Sequence, residues 1–264
     1  MSNLQEAYAK LARHYDSDYE AMGYDEDIDF YVSAARRIQG PVLEMGCGSG
    51  RILLPTAESG VEVHGMEQSP DMLARLKDEL ARRGEKVRQR VTLQRGDIRY
   101  SQAGREDAFA LVTAPFRVIQ HLLTRDDQKA WLGNVRRHLR PEGRLIFDVF
   151  QPDFEMVSNS PEEPFKEIDY TDNASGRRIT RHAQVRHQPE LQTFDIRMVW
   201  REYDAEDHET AKEEASFQVR WFVKSELESL LELEGFEVVD FWGDFVPTPF
   251  GPGASQQIVE ARLA

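Results

Sequence analysis

The sequence predicts an α/β fold, a mostly parallel sheet built from βαβ units and carrying an antiparallel β insertion after the fifth strand. Three observations lead there. From Pro41 onward, short β-type runs alternate with segments of helical period, which is the pattern of βαβ units. A glycine-rich turn, Gly46-Cys47-Gly48-Ser49-Gly50, directly follows the first of these runs and opens a helix. Between residues 165 and 223 the period drops to two, with turn residues between the runs and no helix, as in an antiparallel meander.

Taken in order, residues 1–40 read as a helical N-terminal segment. Five strands are then expected at Val42 to Met45, Val61 to Met66, Val91 to Gln94, Ala108 to Ala114 and Leu145 to Val149. Ser69-Pro70 before Asp71 to Arg82 puts an N-cap serine and a first-turn proline where exposed helix amides need them. Thr124 with Asp127 starts a helix that runs to Leu139, and Arg140-Pro141-Glu142-Gly143 ends it. In the meander, Phe194, Ile196, Met198 and Trp200 share one strand face, and Phe217, Val219, Trp221 and Val223 another. Turns are expected near Asn173 to Gly176 and Gln188 to Glu190. A helix at Ser225 to Glu234, a strand at Phe236 to Asp240, a loop at Pro247 to Gly253 and a strand at Gln257 to Arg262 complete the chain. The expected domains are thus 1–40, a core of 41–150 with 224–264, and the insertion 151–223.

Composition narrows the function. With 264 residues, 40% of them hydrophobic, the chain can bury a substantial core. Its longest apolar runs fall far short of the roughly 20 residues that span a bilayer, and its N-terminus lacks a secretory pattern, so the sequence reads as cytoplasmic and membrane-free. The single cysteine, Cys47, excludes an internal disulfide and a cysteine metal cluster, and no histidine pairing suggests a metal. A formal charge of -14 repels a nucleic-acid backbone and favours a small-molecule partner. The acidic stretch 204–214 is read as a solvated hairpin tip.

The strongest local signal is Glu44-Met45-Gly46-Cys47-Gly48-Ser49-Gly50-Arg51, between strand and helix. Glycines allow a tight turn and close approach of a ligand, while the helix offers unpaired amides. Glu67, at the end of the second strand, can accept hydrogen bonds from both hydroxyls of a ribose. A dinucleotide fingerprint requires a third glycine where Arg51 stands, which argues against NAD. Glu44, before the loop, suits an ammonium group, so an amino-acid-bearing nucleoside fits better. Cys47 is either a small residue in a tight turn or a nucleophile.

On these residues the chain resembles the class I S-adenosylmethionine-dependent methyltransferases. Val42 to Gly50 is similar to their first motif, Gly65 to Leu73 to the segment with the ribose acid, and Gly96-Asp97-Ile98 to the adenine-contacting element. Leu139 to Leu145 resembles the turn into the fifth strand. The resemblance implies a Rossmann-like seven-stranded sheet whose last strand, Gln257 to Arg262, inserts antiparallel between the fifth and sixth. It also implies S-adenosylmethionine as cofactor, with S-adenosylhomocysteine as product. The implied cofactor contacts are Glu44, Gly46, Cys47, Gly48, Gly50 and Arg51, then Glu67, Gln68 and Met72, then Asp97 and Ile98, and finally Ala114 and Phe116.

Tyr15-Asp16, with Tyr8 and Tyr24, and the insertion after the fifth strand resemble the small-molecule N-methyltransferases, including those acting on amino groups of nucleotide-linked sugars. Tyr15 and His121 match the positions that lie near the acceptor nitrogen in that subgroup, and residues 1–40 match its lid. Ala114-Pro115-Phe116-Arg117 lacks the signature of methyltransferases acting on exocyclic amines of nucleic acids. Methyl transfer from a sulfonium is an in-line displacement that depends on orientation. His121 would take the proton of an amine or merely start a helix, and Tyr15 would touch substrate or only cover the cofactor. Six arginines between Arg177 and Arg201, against Glu190 and Asp195, either recognise an anionic acceptor or pair across strands. The meander is a substrate lid or a homodimer contact through Trp200 or Trp221. The expected function is methyl transfer to a small-molecule amine; the alternatives are a non-catalytic S-adenosylmethionine-binding regulator and a nicotinamide-dependent oxidoreductase.

Overall fold

A computed structural model describes residues 2–104, 106–152, 163–173 and 175–264. In chain order the elements are α1 (Ser2–Met22), α2 (Glu26–Ile38), β1 (Val42–Met45), α3 (Leu53–Glu58), β2 (Val63–Glu67), α4 (Pro70–Ala81), α5 (Glu85–Arg88), β3 (Val91–Arg95) and β4 (Phe109–Ala114). A 3₁₀ turn (Val118–His121) leads into α6 (Arg125–His138) and β5 (Leu139–Phe150). The remaining elements are β6 (Phe165–Thr171), β7 (Arg178–Gln188), β8 (Thr193–Tyr203), β9 (Glu209–Arg220), α7 (Lys224–Leu233), β10 (Phe236–Trp242) and β11 (Gln256–Leu263). No described helix is long and apolar enough to cross a membrane.

The chain divides into two compact units, one of Asp25–Pro152 with Trp221–Ala264 and one of Met1–Tyr24 with Asp153–Arg220. The first unit holds the seven-stranded sheet, in the order β10-β11-β5-β4-β1-β2-β3. Parallel pairing sets Val42 opposite Val63 on one side and Leu111 on the other. As the resemblance implied, β11 lies antiparallel between β5 and β10, with Val259 facing Phe147 and Phe241. Every residue of β1 and β4 is buried, because helices cover both faces of a parallel sheet. Leu43 and Met45 pack with Trp131 and Leu132 of α6 and Leu227 of α7. Val42 packs on the opposite face with Phe30 and Tyr31 of α2 and Leu53 of α3. That alternation places Glu44 on the α2 and α3 face. The strand order reverses between β1 and β4, and in open α/β sheets ligands bind outside the carboxyl ends of the strands at such a switch point.

Both caps form as the sequence predicts. Ser69 Oγ accepts from the Met72 amide at 3.3 Å, and Thr124 Oγ1 from the Asp127 amide at 3.1 Å. The fifth strand departs from expectation, since it begins at Leu139 rather than Leu145. The fully buried Leu139 pairs with Phe109, and an irregularity before the Leu111–Arg144 pair absorbs residues 140–143, so that Pro141 falls where a ladder amide is dispensable.

The second unit contains α1 and the antiparallel sheet β6-β7-β8-β9. The N-terminal segment therefore parts at Tyr24 and not at residue 40. The reason is burial, because α2 sinks Phe30, Tyr31, Ala34 and Ala35 into the first unit's core. The predicted face running to Trp221 and Val223 is also corrected: β9 ends at Arg220, and Val223 is the extended N-cap residue of α7. Trp200 is 1% exposed and donates its indole N–H to Asp18 Oδ2 at 2.8 Å, so it offers no surface for a homodimer contact. Among the arginines, cross-strand pairing prevails. Arg177 pairs with Glu202, Arg178 with Asp169 and Asp207, Arg197 with Glu214, and Arg201 with Glu209. Arg181, buried, bonds Asp18 at 2.8 Å and Glu167 at 2.9 Å. Of the stretch 204–214, residues 205–208 form an exposed tip as expected, whereas 209–214 belong to β9, where Glu213 and Glu214 are half-buried and paired with Arg13 and Arg197.

Candidate active site

At the end of β1 the chain turns sharply at Gly46 (φ 78°), whose amide donates to the Met66 carbonyl at 2.7 Å, and the Cys47 amide joins it at 3.1 Å. A side chain at Gly46 would place Cβ 2.7 Å from Val118 Cγ2, and one at Gly50 (φ 90°) 2.2 Å from Leu76 Cδ1. These two glycines let the loop pack against the 3₁₀ turn and α4. Gly48 (φ 54°) is different, for nothing lies within 4 Å of where its Cβ would be. The loop is therefore tight on two sides and open at its crest.

Glu67, at the carboxyl end of β2, spans this crest. Its Oε2 accepts from the Gly48 amide at 2.9 Å and its Oε1 from the Ser69 amide at 2.7 Å, tying the glycine loop to the N-cap of α4. Burial raises its pKa, and the Ser69 and Gly48 amides only partly offset this. Gln68 beside it is exposed, whereas Met72 is 1% exposed and packed inside. Glu44 is deeply buried, and burial pushes its carboxyl up to about 8 despite the opposing charge of Arg51. Burial, aided by the charges of Glu67 and Glu44, likewise pushes the Cys47 thiol well above its ordinary range, and its side chain is packed into the core under the loop.

Arg51, where a dinucleotide fingerprint would have glycine, is held by the fully buried Asp27 of α2, with Nη1 to Oδ1 at 2.8 Å and a second bond from Nη2 to Oδ2. Its guanidinium also lies 4.6 Å from the centre of the Phe116 ring. The third expected cofactor element looks different from its sequence. Asp97 Oδ1 accepts from the Arg99 amide at 2.9 Å and from Arg99 Nε at 3.0 Å, while Oδ2 takes Arg99 Nη2 at 2.6 Å. Arg99 bridges onward to Asp127. Although burial opposes it, Arg99 holds the Asp97 carboxyl below its ordinary range, so in this arrangement the carboxylate is committed to Arg99. Ile98 packs partly buried against the core, and its carbonyl accepts from Asn134 Nδ2 at 2.9 Å.

After β4, Ala114 is buried, and Phe116 (φ 59°) and Arg117 (φ 65°) both adopt the left-handed conformation. Asp148 of β5 receives the Phe116 amide at 2.7 Å, the Arg117 amide at 3.0 Å and the Tyr31 hydroxyl at 2.7 Å. Burial pushes the Asp148 carboxyl up to about 6. His121, half-buried, closes the 3₁₀ turn that follows. Tyr15 belongs to the other compact unit, on α1, where its ring meets Tyr19 edge-on at 4.6 Å.

The structure thus brings the glycine loop, Glu44, Glu67, Arg51 and Phe116 together at the switch point. Sequence reasoning missed Asp27, Tyr31 and Asp148. Nothing marks Asp148 inside an apolar strand as other than an interior acid, and Asp27 and Tyr31 lie in a segment read as lid.

Residues 43–145 match the model of a methyltransferase domain. Over 256 residues, 91% of each chain, the sequence is 25% identical to the putative methyltransferase YqeM of Bacillus subtilis (strain 168). Over 144 residues, 53% of this chain and 52% of the relative, it is 30% identical to the dTDP-3-amino-3,6-dideoxy-alpha-D-glucopyranose N,N-dimethyltransferase of Streptomyces fradiae. The CcbJ methyltransferase from Streptomyces caelestis has the same fold, with a TM-score of 0.79, 22% identity and 98% of both chains covered. Residues 43–145 are thus identified as a methyltransferase domain, built on the seven-stranded sheet, and the protein is a methyltransferase.

Proposed function

We propose that the protein transfers a methyl group from S-adenosylmethionine to an amine nitrogen of a small-molecule acceptor, and that the site at the β1/β4 switch point holds the cofactor. The observation that supports this placement best is Glu67, a carboxylate fixed across the open crest of the glycine loop by the amides of Gly48 and Ser69. The residues fit the cofactor. Gly48 leaves space where any side chain would intrude, and Glu44 is a buried acid whose ionisation calls for a cation. The amine target is supported by the Streptomyces fradiae relative, which acts on an amino sugar.

S-adenosylmethionine supplies an electrophilic methyl group on a cationic sulfur. In the proposed roles, Glu67 accepts hydrogen bonds from the ribose hydroxyls, with Gln68 and Met72 behind it. Glu44 faces the ammonium group, while Gly46, Cys47, Gly48 and Gly50 bring the backbone close. Arg51, locked by Asp27, supports Phe116, which with Ala114 lines the amino-acid end. Ile98 packs on the adenine, and Asp97 beside it holds Arg99. His121 accepts the proton an amine must shed before it attacks. Most of the acceleration comes from alignment of acceptor and methyl group.

The test pairs acceptors that differ in one atom. Purified protein is incubated with S-adenosylmethionine and matched nucleotide-linked amino sugars and their hydroxyl counterparts, and methylated product is read by mass spectrometry. Methylation of the amines alone is expected. Methylation of hydroxyls alone would replace nitrogen by oxygen as the target, and binding without turnover on any acceptor would indicate a regulatory protein.

A further inference from the structure

Two consecutive non-glycine residues in the left-handed region are costly, and they persist only where the surroundings enforce them. Phe116 (φ 59°) and Arg117 (φ 65°) are such a pair, and they sit directly after β4 at the switch point. What enforces them is on β5. The Asp148 carboxylate, 1% exposed, takes the Phe116 amide on Oδ1 at 2.7 Å and the Arg117 amide on Oδ2 at 3.0 Å. Here the two adjacent amides converge on one carboxylate across a backbone bent in this way, so each hydrogen bond offsets part of the cost of the bend. The Tyr31 hydroxyl from α2 donates to the same Oδ1 at 2.7 Å and fixes the carboxylate's orientation.

The far end of the same turn is also tied to β5, because the buried Gln120 accepts the Phe150 amide on Oε1 at 3.1 Å. Between these two anchors lie Val118, whose methyl groups fill the space that Gly46 leaves, and next to the second anchor lies His121. On its outer side, the Phe116 ring carries the Arg51 guanidinium. The turn thus touches the glycine loop through Val118, holds up Arg51 through Phe116 and presents His121.

We propose that Asp148 and Tyr31 are positioning residues for methyl transfer, a brace that holds the Phe116–His121 turn in its strained form and thereby sets both the cofactor wall and the acceptor-side histidine. This inference rests on the assignment of the switch-point site to S-adenosylmethionine. It assigns work to two residues that touch the cofactor and the acceptor only through the turn.

The test uses the full chain as wild type, Tyr31→Phe, Asp148→Asn, and Asp148→Asn combined with Arg117→Gly. Three quantities are measured: amide hydrogen exchange of residues 114–121 in the ligand-free protein, S-adenosylhomocysteine affinity by calorimetry, and kcat and KM with a methylated acceptor. Loss of one hydrogen bond to the brace is expected to speed exchange in the turn and weaken S-adenosylhomocysteine by about tenfold in Tyr31→Phe, and more in Asp148→Asn, with a fall in kcat. Glycine adopts the left-handed form without penalty, so Arg117→Gly is expected to recover a large part of the affinity lost in Asp148→Asn. A merely structural role would lower the melting temperature and leave the rescue absent. Faster exchange with wild-type affinity and kcat overturns the proposal, as does unchanged exchange in both single variants. Should Asp148→Asn not fold, Tyr31→Phe, which keeps the carboxylate, decides by the same readouts. A wild type that binds no S-adenosylhomocysteine defeats the site assignment instead, and the exchange data then judge the brace by themselves.

Discussion

Binding of S-adenosylhomocysteine should expel a proton from Glu44, and the amount follows from the structure. Burial pushes this carboxyl from its ordinary value up to about 8, against the pull of Arg51. At pH 7 a group with that pKa is roughly nine-tenths protonated. An ammonium seated against it favours the carboxylate, so binding at pH 7 should release about 0.9 proton, and affinity should climb nearly tenfold from pH 6 to pH 7. For the stability of the ligand-free fold the sign is the opposite. A folded pKa above the unfolded one means that the neutral acid stabilises the fold fully below the ordinary glutamate pKa, and that this contribution is lost as pH rises through about 8. The ligand-free protein should therefore lose stability across that window, and Glu44→Gln should remove this part of the slope. The assay is calorimetry in two buffers of different ionisation enthalpy, with Glu44→Gln in parallel. Proton release near zero in the wild type, or release unchanged in Glu44→Gln, would refute the assignment of Glu44 to the ammonium group.

Three further outcomes are expected. Gly50→Ala places Cβ 2.2 Å from Leu76 Cδ1 at a φ of 90°, so strain and overpacking together should cost about 2 to 4 kcal/mol in urea unfolding; a loss under about 0.5 kcal/mol would show that the loop relaxes freely. Glu67→Ala frees the Gly48 and Ser69 amides and removes the ribose acceptor, and cofactor affinity measured by calorimetry should fall by about 1 to 3 kcal/mol. For His121→Ala, a fall in kcat of about a hundredfold with unchanged cofactor affinity is expected of a proton acceptor, and a small change would leave orientation as the whole of its role.

How much of this was legible in the sequence depends on the range of the interaction. The glycine loop, the Ser69 and Thr124 caps and the strand alternation are local, and they are where the sequence places them. So is Glu67, because strand, loop and acid lie in one βαβ unit. The fifth strand was misread at its start because Arg140-Pro141-Glu142-Gly143 carries every local mark of a stop, while the burial of Leu139 against the sheet is decided by distant residues. Asp97 shows the same limit. In the sequence its position reads as a ligand contact, yet Arg99, two residues on, takes its carboxylate and bridges to Asp127 of α6. Tyr31 and Asp148 are 117 positions apart, and no periodicity connects them.

The charges at the switch point explain one another. Glu44, Glu67 and Asp148 all have their carboxyls raised chiefly by burial, and Asp27 adds its own repulsion to Glu44 and Asp148. Such a concentration of buried acids is costly in an empty fold, since each must be neutralised or paired. Arg51 serves Asp27 directly, and the Tyr31 hydroxyl with the two turn amides serves Asp148. Glu44, whose rise Arg51 offsets only in part, and Glu67, held by amides alone, are the acids that an added cation would favour as carboxylates. S-adenosylmethionine carries an ammonium, a carboxylate and a sulfonium, a net charge of +1, whereas the thioether product, without the sulfonium, is neutral overall. In a buried site that difference is weakly screened, so on the proposed placement the methyl donor should bind more tightly than its product, and calorimetry that shows equal or tighter binding of the product would refute the electrostatic role given to these acids.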